Sequence, residues 1–349
     1  MTTLLIPGTQ ATRLDDQHGT VVYNAVRVEV GLQKNDLGGR PISEWARLLS
    51  MEHAEGTLDP VRTTLEPGAE LRPGTVVVTP YQLFPHAYEE WSYDWRADLR
   101  WNAIRLLGEL RARVAGGEGR FNLIGHSQGG LLIVLASKRA APGEFARLVA
   151  RVVLVGAPLA GTLRAVEALV FGHPSLGESQ RGVARQMART WPSIYQMLPA
   201  WRCVVDEHGT TLPEGEQLLS ITGWPSGDAD GVTEDMLSRA RKTQILLHDP
   251  FANFGLGIRV WTVMGVNRDT GRTLVKKDGR FVSISMEKKS GDSLAHYGET
   301  LKWGGESFSY TVVPYGGGTE AHAMLCADET IADHIKHFLT VPVPEPGVV

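Results

Sequence analysis

The chain has 349 residues, of which 42% are hydrophobic and 21% charged, with a formal net charge of −4; that size suits one large α/β domain with an insertion, or two small domains. The charge balance and the lack of a dense Lys/Arg run argue against nucleic acid as a partner, and no stretch approaches the ~20 apolar residues of a membrane span. Two cysteines, Cys203 and Cys326, are too few for a disulfide framework. The start, Met1 to Gly8, has neither the charged region nor the apolar core of a signal peptide, so a cytoplasmic location is expected.

Leu4 to Ile6 is a short apolar strand that breaks at Pro7-Gly8 and passes into a loop through Thr12. Residues 15 to 35 alternate apolar and polar, which predicts a strand or hairpin near an edge. Ile42 to Met51 reads as a short helix with Ser43 as its cap, and the β-branched run Thr75 to Thr79 as a central strand. Asp98 to Val114 is an amphipathic helix whose apolar face is Leu99, Ala103, Leu106, Leu107 and Leu110, stopped by Gly116-Gly117. After a strand at Arg151 to Val155 the composition changes. Residues 160 to 250 are rich in Trp, Pro, Gly and Met, with helical pieces at Thr162 to Val170 and Ser179 to Arg189 and one strand-like run, Leu218 to Thr222. This reads as a cap inserted into a sheet. Strands at Ile258 to Val263 and Thr311 to Val313 and a helix at Thr330 to Leu339 return to the core. The expected division is residues 1–159 for the first part of the core, 160–250 for the cap, 251–340 for the second part and 341–349 for a Pro-rich tail. That tail resembles a linker and would suit a further domain or partner beyond it.

The most informative stretch is Phe121 to Gly130, Phe-Asn-Leu-Ile-Gly-His-Ser-Gln-Gly-Gly. An apolar strand runs into Gly125-His126-Ser127-Gln128-Gly129, and a helix-forming stretch follows. Such a strand–turn–helix holds the serine in a strained conformation with its hydroxyl above the sheet edge, and side chains at Gly125 and Gly129 would collide with the adjoining elements. This is the nucleophile elbow of an α/β-hydrolase, a mostly parallel central sheet flanked by helices with an inserted cap (lid) region.

A serine needs a base, and in this fold the order along the chain is serine, acid, histidine. Only His322, in Tyr315-Gly-Gly-Gly-Thr-Glu-Ala-His, stands after the last strand and before the last helix. His173 and His248 fall in the cap. His334 and His337 lie on the final helix, where a solvated face is a better reading than a metal pair. No metal and no cofactor are expected. The acid should follow the penultimate strand. Asp292 sits after Gly291, which allows a turn toward the imidazole; Asp269 follows the strand more closely, and Asp228 and Asp230 lie in a Gly/Pro-rich loop. Local chemistry places Asp292 only a little ahead of Asp269. The oxyanion requires two amides, one at Gln128 and one at Thr9 after Gly8, where an ordinary loop is an equally good reading.

Further motifs occur in order: Pro7-Gly8 with Arg13-Leu14, Tyr93-Asp94-Trp95-Arg96, Gly156-Ala-Pro-Leu-Ala-Gly-Thr, Trp191-Pro-Ser-Ile-Tyr-Gln-Met-Leu-Pro, and Gly265-Val-Asn followed by Gly291-Asp-Ser-Leu. Together with the elbow they resemble the lecithin–cholesterol acyltransferase family, which includes lysosomal phospholipase A2 and phospholipid–diacylglycerol acyltransferases. The resemblance covers nearly the whole chain. It implies Ser127 as nucleophile, Asp292 as acid, His322 as base, Thr9 and Gln128 as oxyanion amides, and Asp94 paired with Arg96. The acid motif departs from the family, reading Gly-Asp-Ser-Leu-Ala where the family has Gly-Asp-Gly-Thr-Val, and the leader and cysteine pattern of extracellular members are missing.

The expected function is a serine acyl-ester hydrolase acting on lipid esters, phospholipase- or lipase-like, working through an acyl-serine. The alternatives are an acyltransferase passing the acyl group to an alcohol, and a non-catalytic scaffold that keeps the fold. Trp191, Tyr195, Met197, Leu198 and Trp201 of the cap are candidates to line an acyl channel or to touch a membrane surface transiently; packing the cap onto the core is the competing reading.

Overall fold

The computed structural model describes residues 1–15, 21–23, 42–51, 72–76, 88–172, 178–254, 257–304, 310–314 and 321–343. Its first part comprises β1 (Thr3–Ile6), β2 (Thr12–Asp15), β3 (Val21–Tyr23), α1 (Ile42–Leu49), β4 (Arg72–Val76), β5 (Tyr88–Glu90), α2 (Leu99–Ala115), β6 (Phe121–His126), α3 (Gln128–Arg139), α4 (Glu144–Leu148) and β7 (Val149–Val155). Then come α5 (Leu163–Val166), continued as a π-helical turn over Glu167–Phe171, α6 (Glu178–Ala188), α7 (Pro192–Gln196), β8 (Val204–Val205) and α8 (Glu234–Leu247). The rest is β9 (Arg259–Val266), β10 (Arg268–Lys277), β11 (Arg280–Gly291), α9 (Tyr297–Gly304), β12 (Tyr310–Pro314), α10 (Ala321–Met324) and α11 (Glu329–Thr340). The Pro-rich tail from residue 344 lies outside the described residues.

Six strands form the central sheet in the order β12-β9-β7-β6-β1-β5, and every neighbouring pair is parallel. A parallel sheet needs both faces covered, which is why its strands are continuous apolar runs; all seven residues of β7 are buried. Side chains alternate between faces. Leu4, Ile6, Leu123 and Leu154 join Leu99, Leu106 and Leu110 of α2 and Leu131 to Leu135 of α3 in one cluster. Leu5, Ile124, Val153, Val155 and Val263 pack instead against Leu325, Cys326, Ile331 and Ile335. The two cysteines lie in separate clusters, are both free thiols, and are both pushed up by burial, Cys203 to about 12.

The cap is anchored at the start of α2. Asp98 caps that helix by accepting from the Arg100 amide at 2.9 Å, and its fully buried carboxylate also takes Arg100 Nη2 at 2.6 Å, Arg239 Nη1 of α8 at 3.2 Å and Gln196 Nε2 of α7 at 2.7 Å. Burial pushes the Asp98 carboxyl up, but these hydrogen bonds and the Arg100 charge outweigh it and hold the group below its usual value. A buried carboxylate is tolerated where charge partners and further hydrogen bonds satisfy its lone pairs, as here.

Three expectations need correction. The strand predicted at Thr75 to Thr79 is β4, which pairs antiparallel with β2 in a small side sheet ordered β3-β2-β4; residues 77–79 lie outside the described residues. The place beside β1 goes to β5, whose Tyr-Glu-Glu sequence has no apolar pattern to announce it. The run Leu218 to Thr222 is no strand. It is a turn leading into a 3₁₀ segment, Ile221–Gly223, because Trp224 Nε1 donates to the Leu218 carbonyl at 2.9 Å and folds the segment back on itself. Finally, β10 and β11 form a hairpin closed by Asp278-Gly279, both at positive φ (48° and 69°), the backbone that an Asp-Gly pair favours in a two-residue turn. Its strand β10 pairs with β8 of the cap, so residues 268–291 share a sheet with the cap rather than with the core.

Candidate active site

Because the central strands all run in one direction, their carboxyl ends open on one edge, where ligands of such sheets bind. Pro7-Gly8 follows β1, Ser127 follows β6, the β10–β11 hairpin follows β9 and His322 follows β12. Residues scattered over the whole sequence are thereby delivered to one rim.

Ser127 sits between β6 and α3 with φ 51° and ψ −123°, a backbone that costs a non-glycine residue of order 1–3 kcal/mol and persists only where its surroundings enforce it. The enforcement is local. The Ser127 amide donates to the Val155 carbonyl at 2.8 Å. A Cβ on Gly125 would stand 2.7 Å from Gly130 Cα, and one on Gly129 2.1 Å from the Ile6 carbonyl oxygen. Only glycines let α3 begin this close to the strands on either side of it.

His322 and Asp292 are joined. His322 Nδ1 donates to Asp292 Oδ2 at 2.8 Å, while Oδ1 accepts the amides of Leu294 (3.0 Å) and Ala295 (2.8 Å). Asp292 is 1% exposed. With its proton on Nδ1, His322 presents a bare Nε2, and this buried nitrogen has no hydrogen-bond partner among the described residues. The hairpin explains how Asp292 arrives. The chain leaves β9 through Asn267 (φ 76°), runs out along β10 and returns along β11, with Arg268 paired to Gly291. Asp292 therefore lies at the end of β9 although 26 residues separate it from Val266. The competitor Asp269 accepts the Lys289 amide at 3.1 Å across the foot of the hairpin, and Asp228 accepts the Phe281 amide at 3.0 Å.

His126, the residue before the serine, has a partner that no local pattern reveals. Its Nε2 donates to the main-chain carbonyl of His322 at 3.2 Å, across 196 residues, and the two rings lie 5.0 Å apart. Burial first, and the neighbouring His322 second, lower its pKa from 6.5 to about 3. His126 is thus a neutral donor that ties the histidine segment to the elbow.

Gly8 faces the serine, since a Cβ there would stand 3.1 Å from both Ser127 Cβ and His126 Nδ1. Thr9 is the next residue, in a turn closed by the Ala11 amide on the Gly8 carbonyl at 3.3 Å, with Gln10 at φ 66°. Gln128 is the first residue of α3, so its amide has no intrahelical acceptor. One side chain spans the two segments. The fully buried Tyr93 hydroxyl donates to the Pro7 carbonyl at 2.8 Å and is shared with Gln128 Oε1 at 3.0 Å, while Gln128 Nε2 donates to the Trp95 carbonyl at 3.2 Å. Asp94 and Arg96 pair with each other through two side-chain hydrogen bonds, 2.7 and 3.0 Å, and Asp94 Oδ1 also accepts the Arg96 amide at 3.0 Å. Tyr93 to Arg96 therefore brace the loop after β1 against the elbow. The sequence showed the block, but not what it holds.

The cap residues named as candidate substrate contacts pack into the core, the competing reading. Trp191, Tyr195, Met197 and Leu198 are all buried in the main cluster. Trp191 stands edge-on to Trp95 at 5.1 Å and donates through Nε1 to the Leu49 carbonyl, and the Tyr195 hydroxyl donates to the Gly231 carbonyl at 3.4 Å. The half-buried Trp201 donates to the Arg272 carbonyl at 3.2 Å. Large aromatic surfaces stabilise most when removed from water, and here they join the cap to the core. His334 packs edge-on to Trp261, and no cluster able to hold a metal occurs among the described residues.

Residues 88–251 match the family model for lecithin:cholesterol acyltransferase. This segment is similar to lecithin:cholesterol acyltransferase. That segment holds the Tyr93–Arg96 brace and the elbow; Asp292 and His322 lie downstream of it. A comparison with curated proteins finds no match. Among solved structures, the Tle4–Tli4 complex is similar with a TM-score of 0.61 at 11% identity, over 98% of this chain and 99% of that one, which shows an α/β-hydrolase fold. Two others are the lin2722 product of Listeria innocua (TM-score 0.42, 10% identity, 98% and 94% covered) and phospholipase PlaB of Legionella pneumophila with thio-NAD (0.39, 12%, 98% and 58%).

Proposed function

We propose that the lecithin:cholesterol acyltransferase-like chain is a serine acyl-ester hydrolase for lipid esters, with Ser127 as nucleophile, His322 as base and Asp292 as the acid that orients it. The observation that carries this reading is the buried Nε2 of His322, without a partner among the described residues, on an imidazole held through Nδ1 by Asp292, on the same sheet edge as a serine in strained backbone. Such a nitrogen loses free energy by being buried without a donor unless a hydroxyl reaches it in the working state.

Ser127 Oγ attacks the ester carbonyl carbon as His322 Nε2 takes the hydroxyl proton, and the charge that develops on the imidazole is balanced by Asp292. The carbonyl oxygen becomes an oxyanion held by the Gln128 and Thr9 amides, each contributing about 3 kcal/mol. Collapse breaks the bond to the alkoxy oxygen, which leaves with the proton from His322. Water, deprotonated by the same nitrogen, then hydrolyses the acyl-serine. An alcohol in place of water makes the enzyme a transferase, and the family match favours including that outcome.

The test is hydrolysis of p-nitrophenyl esters of increasing chain length and of mixed phospholipids, by wild type beside Ser127→Ala, with product analysis in added acceptor alcohol. The expected result is loss of several orders of magnitude in Ser127→Ala. Equal turnover by the variant would overturn the assignment. Wild type that neither turns over any ester nor takes a fluorophosphonate label at Ser127 would point to the scaffold reading.

A further inference from the structure

The β10–β11 hairpin differs in charge from the rest of the chain. Residues 268–291 hold seven Lys and Arg against three Asp and Glu, in a chain whose net charge is −4. It is held from one side, where Phe281 is buried edge-on to Trp224. On β11, Val282 and Met286 are 47% and 51% exposed and stand on the same face of the strand. Both, with Ile284, line an open groove of ≈340 Å³ whose other wall is Leu163 and Phe171 and which reaches Leu294, two residues past Asp292. Arg280 stands two residues before Val282 and Lys288 two residues after Met286, and Lys288 and Lys289 are exposed; none of these three cations has an ion pair among the described residues. Of the carboxylates nearby, Glu167 is paired with Arg164 and Glu287 with His296 and Arg272, while Asp269 and Asp278 have no ion pair among the described residues and leave the hairpin a net positive charge.

We propose that this hairpin face docks on an anionic phospholipid surface, so that a lipid entering the groove arrives beside the acid turn. The docking rests on the lipid-ester reading for its purpose, but not for its measurement. Exposed apolar side chains flanked by unpaired cations match the two attractions such a surface offers, its headgroup charge and its acyl boundary. The contact anticipated through the cap is thereby moved to the hairpin, since Trp191 and Tyr195 are buried and the half-buried Trp201 is tied to the Arg272 carbonyl.

The experiment is sedimentation of the full chain, as Ser127→Ala so that vesicles stay intact, with vesicles of phosphatidylcholine alone or with about one-third phosphatidylglycerol. The anionic vesicles should bind at least about tenfold better, and Arg280→Glu/Lys288→Glu should remove that advantage. A control with the same charge change on two exposed helical cations, Arg139→Glu/Lys242→Glu, should retain it. Near-ultraviolet circular dichroism checks folding, and Lys288→Gln/Lys289→Gln replaces the charge-reversed variant if that one unfolds. Equal binding to both vesicles, or equal loss in the control, overturns the proposal. Hydrolysis of a water-soluble ester by wild type is scored separately, so failure of docking and failure of the hydrolase reading are distinguishable.

Discussion

Gly265 and Asp292 touch so closely that a Cβ on the glycine would stand 2.7 Å from the Cβ of the aspartate. The acid turn is thus seated on the end of β9, and the position of its carboxylate depends on an atom that Gly265 lacks. Gly265→Ala should push Asp292 away from His322 and lower kcat by about 10²-fold with little change in KM, as a displacement near 1 Å does. Steady-state kinetics on a soluble ester separate the two parameters, and an unchanged kcat would show that the turn yields without consequence.

The two aspartates that local chemistry left nearly level should separate on substitution. Asp292→Asn removes the charge opposite the developing imidazolium and should lower kcat by about 10³–10⁴-fold. Asp269→Asn, which weakens only a bond to the Lys289 amide, should leave kcat/KM close to wild type. Reversal of that order would relocate the acid.

Tyr93→Phe leaves the Pro7 carbonyl and Gln128 Oε1 without their shared donor in a buried place. Stability should drop by about 1–3 kcal/mol, the cost of unsatisfied buried acceptors, and kcat should drop with it as the loop after β1 loosens. Urea unfolding and kcat measured on the same preparation check both parts; a stability loss with kcat intact would limit the tyrosine to a structural brace.

His126 makes stability depend on pH. Its folded pKa of about 3 lies below the ordinary 6.5, so between those values the unfolded chain binds a proton that the folded chain does not. Stability is full above about pH 6.5 and declines as pH falls toward 3. Wild type should therefore lose more of its urea midpoint between about pH 6.5 and 4 than His126→Asn does, and parallel curves would mean that the histidine is solvated after all.

Much of the site is written locally. The elbow needs only ten consecutive residues, because its strain comes from a strand and a helix adjacent in sequence and its glycines meet atoms close to them. His322 was found the same way, as the histidine between a last strand and a last helix. Such features are short-range consequences of period and turn chemistry. The side sheet holding β4 and the short polar β5 were not legible, and the burial of the cap aromatics was open between two readings, because each depends on which distant surface takes up the segment.

What the amino-acid sequence determined by itself was the parallel sheet, the serine and the histidine, all set by apolar runs and tight turns within a few residues. What only the tertiary structure decided was which aspartate reaches His322. Asp269 and Asp292 both follow β9 in sequence, and pairing of Arg268 with Gly291 places them at the two feet of one hairpin. There Asp292 turns inward against Gly265 and Asp269 turns to the Lys289 amide, because cross-strand register, which joins residues far apart in the chain, sets the direction of each side chain.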